Sequence, residues 1–253
     1  STALFYSALT GTNVPVILKN SKLELTIGTK GGTINKAVVK GFKDRNGNKN
    51  VILFDEKDQQ MKFMLSGKEM NINTEDLYFT PSEQTDSTVT LTATTKNGQT
   101  LEMRYNLGED YLLHFSIAAK GMETLFPPTY NSIDIHWTER CRQQERGFTF
   151  ENRYATLTYK EKDSGTDYLN ESKEYADEKI EEALDWVAFK NQFFSSVIIA
   201  KDGFASNSLM TSLPQSKETE YLKQYGAKLK TSFDPKGNTP TELEFFFGPN
   251  DFQ

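Results

Sequence analysis

The sequence predicts an all-β fold with minor α content, and three observations carry that expectation. Apolar and polar residues alternate with period two through most of the 253 residues, as they do in strands with one face buried and the other solvated. Asn46-Gly47, Asn97-Gly98 and Asp202-Gly203 punctuate the alternation with pairs that take the positive φ angles of tight turns. Phe and Tyr, 18 and 11 of them, supply most of a 12% aromatic content, enough bulky apolar material for a large core.

Taken in order, Leu23, Leu25 and Ile27 alternate with Glu24 and Thr26 and form an early strand. Gly31-Gly32 follows as a tight reversal, because glycine accepts positive φ at no steric cost. Asp44 to Asn48 reads as a hairpin turn; a calcium loop would want Glu where Asp55 stands. The clearest hairpin runs from Thr88 to Thr94, turns at Asn97-Gly98 and returns through Leu101, Met103, Tyr105 and Leu107. Residues 111–117 and 133–137 continue the pattern. Residues 165–177 are polar and are expected to form a long exposed loop. From 170 to 190 Glu, Lys and Ala are dense, and Tyr175, Ile180, Ala183, Leu184 and Val187 fit a helical face as well as a strand, so the pattern leaves both open. Residues 193–200 are β-branched and aromatic, and Asp202-Gly203 is expected to fold them back onto a strand starting near Phe204. Ala227, Leu229, Thr231 and Phe233, then Leu243, Phe245 and Phe247, read as two closing strands, stopped by Gly248-Pro249.

Several function classes are excluded or weakened. A formal net charge of −6 argues against nucleic acid, whose binding needs clustered Lys and Arg. Apolar runs such as Val197 to Ala200 fall far short of the ~20 residues of a membrane-spanning helix. Cys141 is the sole cysteine, so no internal disulfide and no cysteine-rich zinc site are expected. The start at Ser1-Thr2-Ala3-Leu4, without an initiator Met or a signal peptide, reads as an excised segment. A nucleophilic triad would have to use His114 or His136, and the glycines at 28, 31 and 32 lack the strand-turn-helix setting of a dinucleotide site. Glu171 to Glu174 and Glu181-Glu182 read as solvated runs. Alternation places Asp134, His136 and Thr138 on one face of a strand and Ile133, Ile135 and Trp137 on the other. Asp134, His136 and Trp137 are therefore the cleft candidates for an alternative function, a carbohydrate-binding or mutarotase-like sandwich. No catalytic residue, cofactor or metal is assigned.

Three segments carry a resemblance: residues 25–34 with their Thr-Lys-Gly-Gly turn, residues 186–196 with the spacing W-x-A-x-x-x-x-F-F, and Phe245 to Pro249. In this order they resemble the periplasmic domain of YidC-type membrane-protein insertases. The resemblance implies a large twisted antiparallel β-supersandwich, mutarotase-like and sugar-binding-like in outline, and it moves residues 170–190 toward loop and strand. It makes Gly31, Gly32, Trp186, Ala188, Phe193, Phe194, Gly248 and Pro249 family-signature positions with structural roles. Physically, Trp186, Val187, Phe193 and Phe194 are expected to bury large apolar area at a strand junction. The resemblance further implies one periplasmic domain over residues 1–253, with about 1–20 and 250–253 as linkers toward membrane helices before Ser1 and after Gln253. Such a domain is non-catalytic, belongs to a Gram-negative inner-membrane protein, and serves as a scaffold for the Sec translocon, its accessory subunits and nascent membrane proteins.

Overall fold

The computed structural model describes residues 4–169 and 176–250. The alternating segments become strands in three antiparallel sheets. β1 (Pro15–Lys19), β2 (Leu23–Gly28), β3 (Ile34–Lys40) and β4 (Asn50–Phe54) form a four-stranded sheet in chain order. A six-stranded sheet is ordered β14 (Ala176–Ile180), β17 (Ser208–Pro214), β18 (Tyr221–Ser232), β11 (Ser132–Arg142), β5 (Gln59–Ser66) and β6 (Asn71–Asn73). A nine-stranded sheet is ordered β13 (Thr166–Tyr168), β12 (Leu157–Glu161), β15 (Leu184–Lys190), β16 (Phe194–Phe204), β19 (Thr241–Pro249), β10 (Leu112–Lys120), β9 (Thr100–Leu107), β8 (Thr88–Thr94) and β7 (Thr80–Ser82). A short helix, α1 (Phe148–Tyr154), follows β11. No helix among the described residues is long and apolar enough to cross a membrane.

Most strands turn apolar residues toward one continuous core shared by the three sheets. On β11 the alternation is complete: Ile133, Ile135, Trp137, Glu139 and Cys141 are buried, and the residues between them face outward. A smaller apolar cluster of Ala188, Val197 and Phe246 lies on the nine-stranded sheet, with Trp186, Ile199, Tyr111 and Leu112 packed on it. Asn97-Gly98 and Asn46-Gly47 close the β8–β9 and β3–β4 hairpins with Gly98 and Gly47 at positive φ, as their sequence requires.

Gly31 and Gly32 make the reversal between β2 and β3 at φ +85° and +67°. The buried Tyr105 hydroxyl donates to the Gly32 carbonyl at 2.6 Å, and a Cβ on Gly32 would meet Met103 Sδ at 2.6 Å and the Phe79 ring at 3.1 Å. Both backbone strain and crowding therefore oppose a side chain there. Gly32→Ala is expected to lower unfolding stability by about 1–3 kcal/mol; a urea midpoint unchanged from the parent would contradict this.

The structure corrects four expectations. Asp202-Gly203 does not close a hairpin; it forms a bulge inside β16, where Gly203 at φ +76° lets the strand bend and rejoin β15 through Phe204 and Leu184. Just beyond, Ala205 N–H donates to the Lys230 carbonyl and the Thr231 hydroxyl to the Gly203 carbonyl, both at 2.8 Å, so this corner carries the chain from one sheet to the other. Residues 165–177 are not one loop: Thr166–Tyr168 pairs with β12, and β14 begins at Ala176, while 170–175 lie outside the described residues. The stretch expected as a linker up to residue 20 contains β1 and a turn of 3-10 helix at Tyr6–Ala8, with Phe5 buried in the core. Finally, Phe193 is not core: it is 45% exposed, because it sits at the tip of the β15–β16 turn where Asn191 caps the Phe193 and Phe194 amides.

Candidate functional site

The outward face of the six-stranded sheet holds a cleft of about 390 Å³. Strand register builds its floor from two cross-strand rows. One runs Lys62, His136, Lys228, Leu209, with Lys179 next in register beyond the cleft; the other runs Gln60, Thr138, Gly226, Thr211, Asp177. Gly226 opens the space between them, since a Cβ there would come within 2.5 Å of Thr211 Oγ1. Adjoining hollows of about 350 and 480 Å³ extend the cleft past Asp134 and Lys230 to the Asp202-Gly203 corner, giving a trench along the sheet.

His136 stands in the trench as the alternation predicts, with its imidazole pKa lowered by burial first and then by Lys228 and Lys62, against the opposing pull of Asp134. The shift favours the neutral imidazole. Asp134 shares the same face but points its carboxylate toward Lys230 Nζ at 3.8 Å. The pairing needed for mutarotase-like proton transfer, an imidazole with its own acid, is thus replaced by an imidazole between two lysines. Trp137 is the third cleft candidate and the structure moves it: at 1% exposure its ring lies inward, stacked on Phe189 at 3.8 Å between centroids, beneath the floor. His114, on the other large sheet, is exposed and lies 3.8 Å from Glu244.

The residues missed by sequence reading are Lys62, Lys228, Gly226, Thr211 and Leu209, which come from β5 and from the β17–β18 pair more than a hundred residues later. One signal was available: with Ala227, Leu229 and Thr231 turned inward, Lys228 and Lys230 had to face out together.

A second hollow of about 200 Å³ lies at the far end of β11, among Arg45, Arg142, Glu220 and Tyr221. Its cations are already engaged: Arg142 bonds Asp55 and Asp58 at 2.7 Å each, and Arg45 bonds Glu220 at 2.8 Å. It is a structural clasp between loops.

Of the signature positions, two groups meet in space. Phe194 pairs with Pro249 across β16 and β19, and the Asn250 amide donates to the Asn191 and Gln192 carbonyls at 3.2 and 2.9 Å. Phe194 is buried with its ring edge-on to Phe42, and Gly248 leaves room for Tyr111, whose Cδ1 would lie 2.7 Å from a Cβ. Trp186 is half-buried over Ala188 in the smaller apolar cluster. These residues lock the last strand to the β15–β16 turn; Gly31 and Gly32 act separately, at the β2–β3 reversal.

Comparison with known proteins places this geometry. Two solved structures share the fold alone, at 11% identity each: a galactose mutarotase-like protein from Lactobacillus casei, with a TM-score of 0.55 over 94% of this chain and all of that one, and a galactose mutarotase related enzyme from Lactobacillus acidophilus, with a TM-score of 0.54 over 92% of this chain and 97% of that one. By sequence, the chain is 48% identical over its whole length to the membrane protein insertase YidC of Phocaeicola vulgatus, covering 40% of that protein. It is 39% identical over its whole length to that of Bacteroides fragilis, covering 41%, and 31% identical over 97% of its length to that of Porphyromonas gingivalis, covering 39%. The chain thus spans about two-fifths of the length of the curated relatives it matches. With residues 16–253 also matching the model of the YidC periplasmic domain, the chain belongs to that family.

Proposed function

We propose that this chain is the non-catalytic periplasmic scaffold of an inner-membrane protein insertase in a Gram-negative bacterium. It docks the Sec translocon and its accessory subunits and holds segments of nascent membrane proteins in the trench on the six-stranded sheet. The observation that carries this reading is the family match over residues 16–253, to relatives of which the chain is only a part. The open trench supports it, because a depression running along a sheet suits an extended chain better than a closed pit does.

The test uses the intact, membrane-embedded protein with a photo-reactive residue in place of Leu209, which is exposed on the trench floor. Irradiation during synthesis of a membrane protein is expected to give adducts with the nascent chain or with Sec subunits, identified by immunoblot. Adducts with neither, while a control position in the membrane bundle still captures the nascent chain, would refute the reading.

A further inference from the structure

Five residues from five strands stand in one line across the sheet: Lys62, His136, Lys228 and Leu209 line the cleft, and Lys179 stands beyond them at its edge. No carboxylate stands in that line; Asp177 lines the cleft from the neighbouring row, two residues along β14 from Lys179, and the chain as a whole carries a formal charge of −6. Neighbouring strands lie about 4.8 Å apart, so the three lysines are rooted at intervals of about 10 Å. At one edge Lys62 lies 3.9 Å from Glu75, and Asp134 turns away to Lys230 at 3.8 Å. Among the described residues no carboxylate lies within ion-pair reach of Lys228, at the centre of the row. The pKa of His136 is lowered by burial first and then by Lys228 and Lys62, with Asp134 opposing them.

The shape agrees with the charge. Gly226 keeps the floor low beside Lys228, the hollows join end to end through His136, Leu209 and Lys228, and Leu209, 41% exposed, offers an apolar contact between two of the lysines.

We propose that the cleft binds an extended acidic polypeptide segment laid across the strands, its carboxylates received by Lys62, Lys228 and, at the edge, Lys179, with an apolar residue between the last two resting on Leu209. An extended chain carries same-face side chains about 7 Å apart, and the long flexible lysine stems span the difference from their own spacing. The inference deepens the reading of the trench as a chain-binding surface and rests on it.

Three fluorescein-labelled peptides of equal length separate the two: alternating Glu-Ser, Gln-Ser and Lys-Ser, titrated with the purified chain and followed by anisotropy, with free succinate as competitor. The Glu-Ser peptide is expected to bind at least about tenfold more tightly than the other two and to weaken as salt is raised. Lys62→Glu/Lys228→Glu is expected to abolish that preference, and Gly226→Val, which fills the floor, to weaken all binding; Lys49→Glu, on the β3–β4 loop, is expected to change nothing. Thermal unfolding of each variant checks that it is folded. Equal binding of the Glu-Ser and Gln-Ser peptides, weakened by Gly226→Val, would overturn the acidic selectivity and leave the chain-binding reading standing. Competition by succinate as strong as by unlabelled Glu-Ser peptide would overturn the extended ligand in favour of a small-anion site. Binding of none of the peptides would overturn both.

Discussion

Trp137→Ala is expected to lower the free energy of unfolding by about 3–5 kcal/mol, the range for removing a large aromatic from a packed core. The indole is buried on β11 and stacks on Phe189 of β15 at 3.8 Å; Phe189 in turn stacks on Tyr225 of β18 at 5.1 Å. The three rings tie the six-stranded sheet to the nine-stranded one, and the Tyr225 hydroxyl donates to the Lys190 carbonyl at 2.7 Å. Truncation would leave a void between two sheets whose backbones are fixed by hydrogen bonding and collapse poorly around it. Trp137→Phe should cost far less, since it keeps a ring in the stack and removes an indole N–H that has no acceptor among the described residues. Urea titration followed by circular dichroism checks both; a loss below about 1 kcal/mol for the alanine variant would mean that the sheets are held elsewhere.

The second large effect concerns pH. Glu139, also inward on β11, is fully buried, with one carboxyl oxygen lacking a partner among the described residues. Burial pushes its pKa up to about 8, the nearby charge of Asp58 pushes the same way, and a hydrogen bond from Ser196 opposes them. In the unfolded chain the group titrates near 4.5. Between these values the folded protein keeps a proton that the unfolded chain has released, so stability falls as pH rises, by up to about 1.4 kcal/mol per pH unit. Glu151 acts in the same direction, with burial raising its pKa to about 7 against backbone donors at Gln144 and Glu145. The neutral mimic Glu139→Gln should therefore match the parent near pH 4.5 and exceed it increasingly toward pH 8. Parallel urea midpoints for the two proteins from pH 5 to 8 would show that Glu139 is ionised in the fold.

Both effects reside on a strand whose burial pattern was legible, and they show how far reading the chain could go. Alternation at 133–137 assigned the faces of Ile133 to Trp137 correctly, because a half-buried strand constrains every second residue. It could not say that the buried face meets Phe189 from another sheet, nor that Glu139, an acid at an inward position, would be accepted there. The hairpin at Asn97-Gly98 was legible because its turn is local. The one expected at Asp202-Gly203 was not, since the same dipeptide serves equally well as a bulge, and only the partners at Leu184 and Lys230 decide which it becomes. The trench was the least legible part. Lys62, Lys228 and Lys179 come together only through the register of β5, β18 and β14, and nothing near any one of them in the chain marks it. The resemblance in three short segments identified the family, yet the residues that carry it hold the strands together and lie away from the trench floor.

The order of strands in the large sheet sets a timetable. β19, late in the chain, lies between β10 and β16, joining a block built from residues 80–120 to one built from residues 157–204. A chain delivered vectorially, from its beginning to its end, must hold two half-sheets with facing open edges until residues 241–249 arrive. Open edges invite pairing with other chains, and closure over such long sequence separations is slow. The large sheet therefore cannot close before β19 is available, and a stall shortly before that point is expected to leave a species prone to aggregate although most of its sequence has been delivered.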